Sequence, residues 1–267
     1  MERIDIEAQI RNKLSEIEYT ENVRVIMAVE SGSRAWGFAS PDSDYDVRFI
    51  YVRQPEDYIR LHPLRDVIEW QLDDVYDISG WDLQKALRLT YESNPSIHEW
   101  CGSPIVYMEN ELAEPLRQLA AECFITKKSL YHYLNMAHHN YKAYLTGEEV
   151  RLKKYFYALR PVLAAGWVAH NETAPPMLFR ELIDAELPAD LMPSVEELVR
   201  VKTETSELGL GPKIPEIDRY IREQMEQLQT AADKAENLRN DWTGLEKFFR
   251  RAVLPDSLMS AASVNAG

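Results

Sequence analysis

The spacing of apolar residues changes several times along the first hundred positions and predicts alternating helices and strands. Residues 3–18 carry aliphatic side chains at close to helical spacing, which predicts an amphipathic helix. Residues 23–29 form a continuous apolar run with β-branched side chains and predict a buried strand. A short helix from Ser33 then leads through a polar turn to a second predicted strand over residues 45–52.

The next segments predict a pair of strands followed by a helix. Residues 66–71 and 74–79 have the composition of strands and are separated by a short polar bend. The Ser79-Gly80 pair predicts the end of the second of these strands, and residues 81–91 return to helical spacing.

Beyond residue 110 strand signals become sparse and helical spacing dominates. The predicted helices cover residues 112–122, 126–145, 148–170 and 215–250. The fold class is therefore mixed α/β (α+β) in the N-terminal half, followed by a helical C-terminal half. The predicted units are a mixed domain over 1–108, a helical domain over 109–255 and a disordered tail over 256–267.

Composition narrows the class of protein. The 267 residues are 45% hydrophobic and include six tryptophans, enough for a folded core. Two distant cysteines do not suggest a disulfide framework, and no apolar run reaches the roughly 18 residues that span a bilayer, so we expect a cytoplasmic protein without a membrane partner. The net charge of −14 disfavours binding to a long polyanion, although a nucleic-acid end could be bound through a local basic patch or bridging magnesium.

Two short motifs carry the chemistry. Asp44 and Asp46 are two residues apart at the start of a predicted strand, so their side chains lie on one face. Paired carboxylates repel each other unless a cation lies between them, and their hard oxygens suit Mg²⁺. Gly32 and Ser33 follow the first strand, where glycine lets the backbone approach a phosphate and the hydroxyl can donate to it. The alternative interpretation, capping and turn aspartates, does not explain Asp46 because it lies inside the apolar run.

These residues resemble the signature of the DNA polymerase β-like nucleotidyltransferase superfamily. The wider sequence is similar to a branch associated with RNA repair and RNA-ligase neighbourhoods. This resemblance implies a mixed sheet with flanking helices, a nucleoside triphosphate as substrate and two bound Mg²⁺ ions, with Mn²⁺ as an alternative. The matching segments read SGSRAWGFASPDSDYDVRFIYV, DISGWDLQKAL, SPIVY and, more loosely, KKYFYALRPVLAAGW.

The superfamily carries a third carboxylate on a later strand. Asp77 fits that pattern best because it lies between apolar residues of the predicted strand. Glu69 is the rival, since it also lies in an alternating apolar run. We expect Asp77 to complete the metal site with Asp44 and Asp46, and to help deprotonate the acceptor hydroxyl.

Basic residues could complete the nucleotide site. Arg34 could contact a phosphate or pair with a surface acid. Lys153, Tyr157 and Arg160 are spaced to share one helix face. The resemblance includes Lys154 and Arg160 among the candidate nucleotide-binding residues, whereas the alternative is a solvated basic face around an aromatic core.

The predicted function is Mg²⁺-dependent transfer of a nucleoside monophosphate to a hydroxyl acceptor. An RNA 3′ end is one acceptor, and a small molecule or a protein side chain is another. A non-catalytic, antitoxin-like interaction module on the same fold is the alternative from a different class. The sequence leaves open the nucleotide, the protein partner and the oligomeric state.

Overall fold

The computed structural model describes residues 5–204 and 209–254. The N-terminal half is built on a five-stranded sheet of order β3-β4-β2-β1-β5. Strand β2 pairs with β4 in parallel, whereas the other neighbours are antiparallel, so the sheet is mixed as expected. The strands are β1 (Val23–Ser31), β2 (Tyr45–Arg53), β3 (Val67–Leu72), β4 (Tyr76–Asp82) and β5 (Val106–Glu109).

Helices cover both faces of this sheet. Helix α1 (Ile6–Glu21) buries the aliphatic stripe of its predicted helical spacing against one face. Its first turn is capped by Asp5, whose carboxylate accepts the Ala8 amide hydrogen at 3.2 Å. The other helices of this half are α2 (Gly32–Ala35), α3 (Pro55–Tyr58), α4 (Leu83–Tyr91) and α5 (Pro95–Cys101).

A second hydrophobic core lies among the helices that follow. Helix α8 runs through this core and buries most of its side chains. The helices are α6 (Ala113–Glu122), α7 (Thr126–Tyr144), α8 (Lys154–Asn171), α9 (Phe179–Glu186), α10 (Met192–Glu204), α11 (Pro215–Lys234) and α12 (Thr243–Val253). None of the helices in the described ranges is long and apolar enough to cross a membrane.

Two predicted helices were wrong in extent. The prediction of one helix over 148–170 fails because residues 149–151 form strand β6, paired with strand β7 over 210–212, before α8 begins. The single helix predicted over 215–250 is two helices. The side-chain amide of Asn240 donates to main-chain oxygens of Tyr91 and Cys123 at 2.9 and 2.8 Å, which fixes the intervening segment. Helix α12 then packs with α6 on the sheet-side core.

The predicted end of the fourth strand at Ser79-Gly80 was also wrong, since β4 continues to Asp82. A Cβ atom on Gly80 would overlap the ring of Phe49 on the neighbouring strand. This glycine therefore marks a close approach between strands rather than a break. The division at residue 108 stays a prediction, and the predicted disordered tail over 256–267 lies outside the described residues.

Candidate active site

The paired aspartates lie where the loop after α2 enters the sheet. Asp46 is the second residue of β2 and lies directly beside Asp77 in the parallel register of β4. Their side chains are 22% and 28% exposed, so both carboxylates are partly buried yet reachable from solvent. The fold thus brings the two acids together from positions 31 residues apart in sequence.

Arg48 joins these carboxylates and was not predicted from the sequence. Its Nη2 lies 2.6 Å from Asp77 Oδ2 and 3.2 Å from Asp46 Oδ1, and its Nη1 lies 3.0 Å from Asp77 Oδ1. The period of two along β2 places Arg48 on the face of Asp46, so strand alternation was the signal that could have found it.

The pKa of Asp46 is raised to about 6, chiefly by burial and also by the carboxylates of Asp44 and Asp77, against the opposing effect of Arg48. Among the residues that the structure describes, the Asp44 carboxylate has no hydrogen-bond or ion-pair partner. The site therefore concentrates more negative charge than Arg48 alone balances.

Glu69, the rival third carboxylate, lies on the outermost strand β3 opposite Ser79. Its side chain is 66% exposed and pairs with Arg65 at 2.7 Å. The structure therefore groups Asp77, rather than Glu69, with Asp46.

Gly32 and Ser33 form the wall of the site. Gly32 adopts φ 68°, and a Cβ atom there would overlap the carboxylate of Asp46. Only glycine accommodates both constraints without strain. The helix begins at Gly32, one residue earlier than predicted, and the Ser33 hydroxyl lies 3.3 Å from that of Ser43 across the loop.

Arg34 has a structural position. Its Nε donates to the main-chain oxygen of Asp44 at 2.9 Å, and its guanidinium lies 3.7 Å from the ring centroid of Tyr45. These contacts hold the loop that carries Asp44. The sequence had suggested a phosphate or a surface acid as the partner of Arg34.

A second unpredicted residue supports Asp46 from the core. Glu30 is fully buried, accepts the amide hydrogen of Asp46 at 2.9 Å and accepts a hydrogen bond from the hydroxyl of Tyr107. Burial raises the pKa of Glu30 to about 7. The sequence feature that could have drawn attention to Glu30 is its position as an acid at the end of the apolar run of β1. Its pairing with Asp46 depends on tertiary structure.

The helical half presents cations and aromatic rings to the same region. The Nζ atom of Lys154 lies 4.0 Å from the ring centroid of Tyr144 and 4.7 Å from that of Tyr157. Burial raises the pKa of Tyr157, and the negative charges of Asp46 and Asp44 raise it as well. The Tyr157 hydroxyl is therefore close enough to interact electrostatically with these carboxylates.

Lys202 on α10 reaches the loop between α2 and β2 from the other side. Its Nζ lies 3.3 Å from the Ser40 hydroxyl, and its pKa is lowered by burial and then by the charge of Lys153. A bound anion would relieve the repulsion between these two lysines beside the loop. No sequence signal linked α10 to this loop.

Arg160 has a different environment from the predicted one. Its side chain is 3% exposed, pairs with Glu99 at 2.9 Å and lies 4.6 Å from the ring centroid of Trp36. These partners join α8 to α5 and to the residue that follows α2. Its guanidinium is committed within the protein, and this geometry gives no support to a direct contact with nucleotide.

A glycine-serine turn facing two strand-borne aspartates defines the polymerase β-like nucleotidyltransferase class. The sequence profile of the RNA repair pathway DNA polymerase beta family matches residues 6–251, and the chain belongs to this family.

Two proteins similar to this chain are worth noting. An uncharacterized protein of Bacillus subtilis (strain 168), YcgL, is 47% identical over 238 residues, which cover 88% of this chain and 91% of that protein. A crystal structure of a nucleotidyltransferase-like protein from Exiguobacterium sibiricum is 14% identical over 92% of this chain and 79% of that one, with a TM-score of 0.30.

Proposed function

We propose that this protein is a Mg²⁺-dependent nucleotidyltransferase that adds a nucleoside monophosphate to an RNA 3′ end. The single observation that carries the proposal is the pairing of Asp46 with Asp77 beside Gly32, with Asp44 close enough for its charge to raise the pKa of Asp46. Membership of an RNA repair family supports RNA as the acceptor. The basic residues around the site provide local positive charge on an otherwise acidic protein.

The donor set suits magnesium. Asp44, Asp46 and Asp77 offer only hard carboxylate oxygens, and the net charge of the cluster is negative even with Arg48 present. As they stand, no three acidic, histidine or cysteine side chains in the described part of the chain are grouped as a ready metal site. Arg48 already occupies oxygens of Asp46 and Asp77. Bound Mg²⁺ would supply charge neutralisation to the reacting phosphate.

The remaining steps belong to the protein's own residues. The triphosphate would be held by the Ser33 hydroxyl, by Lys153 and Lys202, and by the main chain at Gly32, which a phosphate can approach closely. The acceptor oxygen forms a bond to the α-phosphorus while the bond to the bridging oxygen breaks. Pyrophosphate leaves with the electron pair, and the hydroxyl proton passes to solvent water.

The test is transfer of an α-labelled nucleotide to a short RNA with a free 3′ hydroxyl in the presence of Mg²⁺. Each of the four nucleoside triphosphates is supplied separately. We expect Asp44→Asn to abolish labelling and the matched control Glu69→Gln to retain it, because Glu69 lies on the outer strand. Labelling that survives in Asp44→Asn would reject the assignment of this site.

A small-molecule or protein acceptor is the main alternative within the same chemistry. The net charge of −14 favours it over a long RNA. RNA binding measured over a salt series separates the two, since an RNA end held by the local lysines should lose affinity steeply as salt rises. Negligible RNA binding at low salt would count against the RNA acceptor, and nucleotide binding without transfer to any acceptor would favour the non-catalytic module.

A further inference from the structure

Arg48 is the cation that already lies between the proposed metal ligands. It contacts both oxygens of Asp77 and one oxygen of Asp46, with distances of 2.6 to 3.2 Å. Its side chain is 18% exposed, so the ion pairs are partly shielded from solvent. A planar guanidinium suits this arrangement because its donors can serve two carboxylates at once.

Main-chain contacts hold Arg48 in this position. Its Nη1 also donates to the main-chain oxygens of Asp77 and Val47 at 2.7 and 3.2 Å. These contacts do not involve the Asp46 carboxylate. The guanidinium therefore has four acceptor oxygens besides the single contact, at 3.2 Å, with Asp46.

We propose that Arg48 is the resident counter-ion of this site and competes with the divalent metal for Asp46. Metal binding displaces its Nη2 from Asp46, while the shorter contacts keep the guanidinium on Asp77. Arg48 thereby lowers the affinity for free metal and favours a metal held chiefly by Asp44 and Asp46. This inference rests on the proposed function, because it takes those two carboxylates as the metal ligands.

The test measures Mn²⁺ binding to the full-length protein by electron paramagnetic resonance, without nucleotide, so that no activity is needed. The variants are Arg48→Gln and the matched control Arg24→Gln, whose arginine forms an exposed ion pair with Glu111 away from the site. We expect Arg48→Gln to bind Mn²⁺ at least about tenfold more tightly than wild type, because a positive charge beside the ligand oxygens opposes a cation. Arg24→Gln should match wild type.

A second variant keeps the test decisive if Arg48→Gln does not fold. Arg48→Lys keeps the charge but cannot contact both carboxylates with a planar fork, so we expect a smaller gain in Mn²⁺ affinity. Circular dichroism reports whether each variant is folded, and Arg48→Lys decides the matter if Arg48→Gln is not.

The outcomes separate this inference from the function. If wild type binds Mn²⁺, Asp46→Asn does not, and the folded Arg48 variants bind no more tightly than wild type, the role of Arg48 is overturned and the metal site stands. If neither wild type nor any folded Arg48 variant binds Mn²⁺, both proposals are overturned.

Discussion

The replacement Asp46→Asn should make the metal-free protein more stable while removing its response to metal. Burial raises the folded pKa of Asp46 from 3.8 to about 6, so the folded state holds this proton more tightly than the unfolded chain. Its stabilising contribution is present below about pH 4 and is lost as pH rises through about 6. A shift of about two units corresponds to about 3 kcal/mol at pH 8.

The assay is urea unfolding of both proteins with a chelator at pH 8 and again near pH 4. Asparagine keeps an oxygen that can accept from Arg48 but carries no charge. We expect Asp46→Asn to exceed wild type by up to about 3 kcal/mol at pH 8, with a smaller gap near pH 4. Glu69→Gln is the control and should change stability by less than about 0.5 kcal/mol, since its side chain is exposed.

Addition of Mg²⁺ should then stabilise wild type and leave Asp46→Asn unchanged, because the variant lacks one of the two carboxylates proposed to hold the metal in the folded state. If Asp46→Asn is less stable than wild type at pH 8 in chelator, the reasoning that the buried Asp46 charge destabilises the metal-free protein is refuted.

Three further predictions follow from the surroundings of the site. Glu30→Gln can still accept the Asp46 amide hydrogen on its amide oxygen, and its amide nitrogen can donate to the Tyr107 hydroxyl oxygen in place of the present bond. This variant should be more stable than wild type by up to about 3 kcal/mol above pH 7, since burial raises the Glu30 pKa from 4.5 to about 7, and the gap should close near pH 4 in a pH series of urea unfolding. Gly32→Ala should lose at least about 2 kcal/mol in urea unfolding because of positive φ and overlap with the adjacent carboxylate, whereas Gly209→Ala, with open space around it, should lose less than about 1 kcal/mol. Lys202→Met should weaken binding of a non-hydrolysable nucleoside triphosphate at least about tenfold in calorimetry. The control Lys128→Met, which removes the cation of the ion pair with Glu92, should bind it as wild type does. If Lys202→Met and wild type bind the nucleotide equally, Lys202 is not part of the phosphate site.

The sequence predicted those parts of the structure that depend on local spacing. The alternation of β2 placed Asp44 and Asp46 at the entrance to a buried strand, and the apolar neighbours of Asp77 placed it on another. That these strands are parallel neighbours, with Asp46 directly beside Asp77, needed the topology of the sheet.

The remaining site residues depend on contacts between elements that are distant in sequence. Glu30 supports Asp46 across 16 positions, and Lys202 meets Ser40 across 162. Arg160 shows the opposite case: its spacing suggested a shared basic face, yet its ion pair with Glu99 holds it in the core. Helical spacing reports which residues share a face but not what that face contacts.

The most direct test of the central claim follows the fate of the α-phosphate. Wild type, Asp46→Asn and Glu69→Gln are each incubated with α-labelled nucleoside triphosphates, Mg²⁺ and an RNA 3′ end, and both labelled RNA and released pyrophosphate are quantified. We predict equal amounts of labelled RNA and pyrophosphate from wild type and Glu69→Gln, and neither from Asp46→Asn. Full activity in Asp46→Asn would contradict the account. The account would also be contradicted if none of the three proteins released pyrophosphate or labelled the RNA with any of the nucleotides.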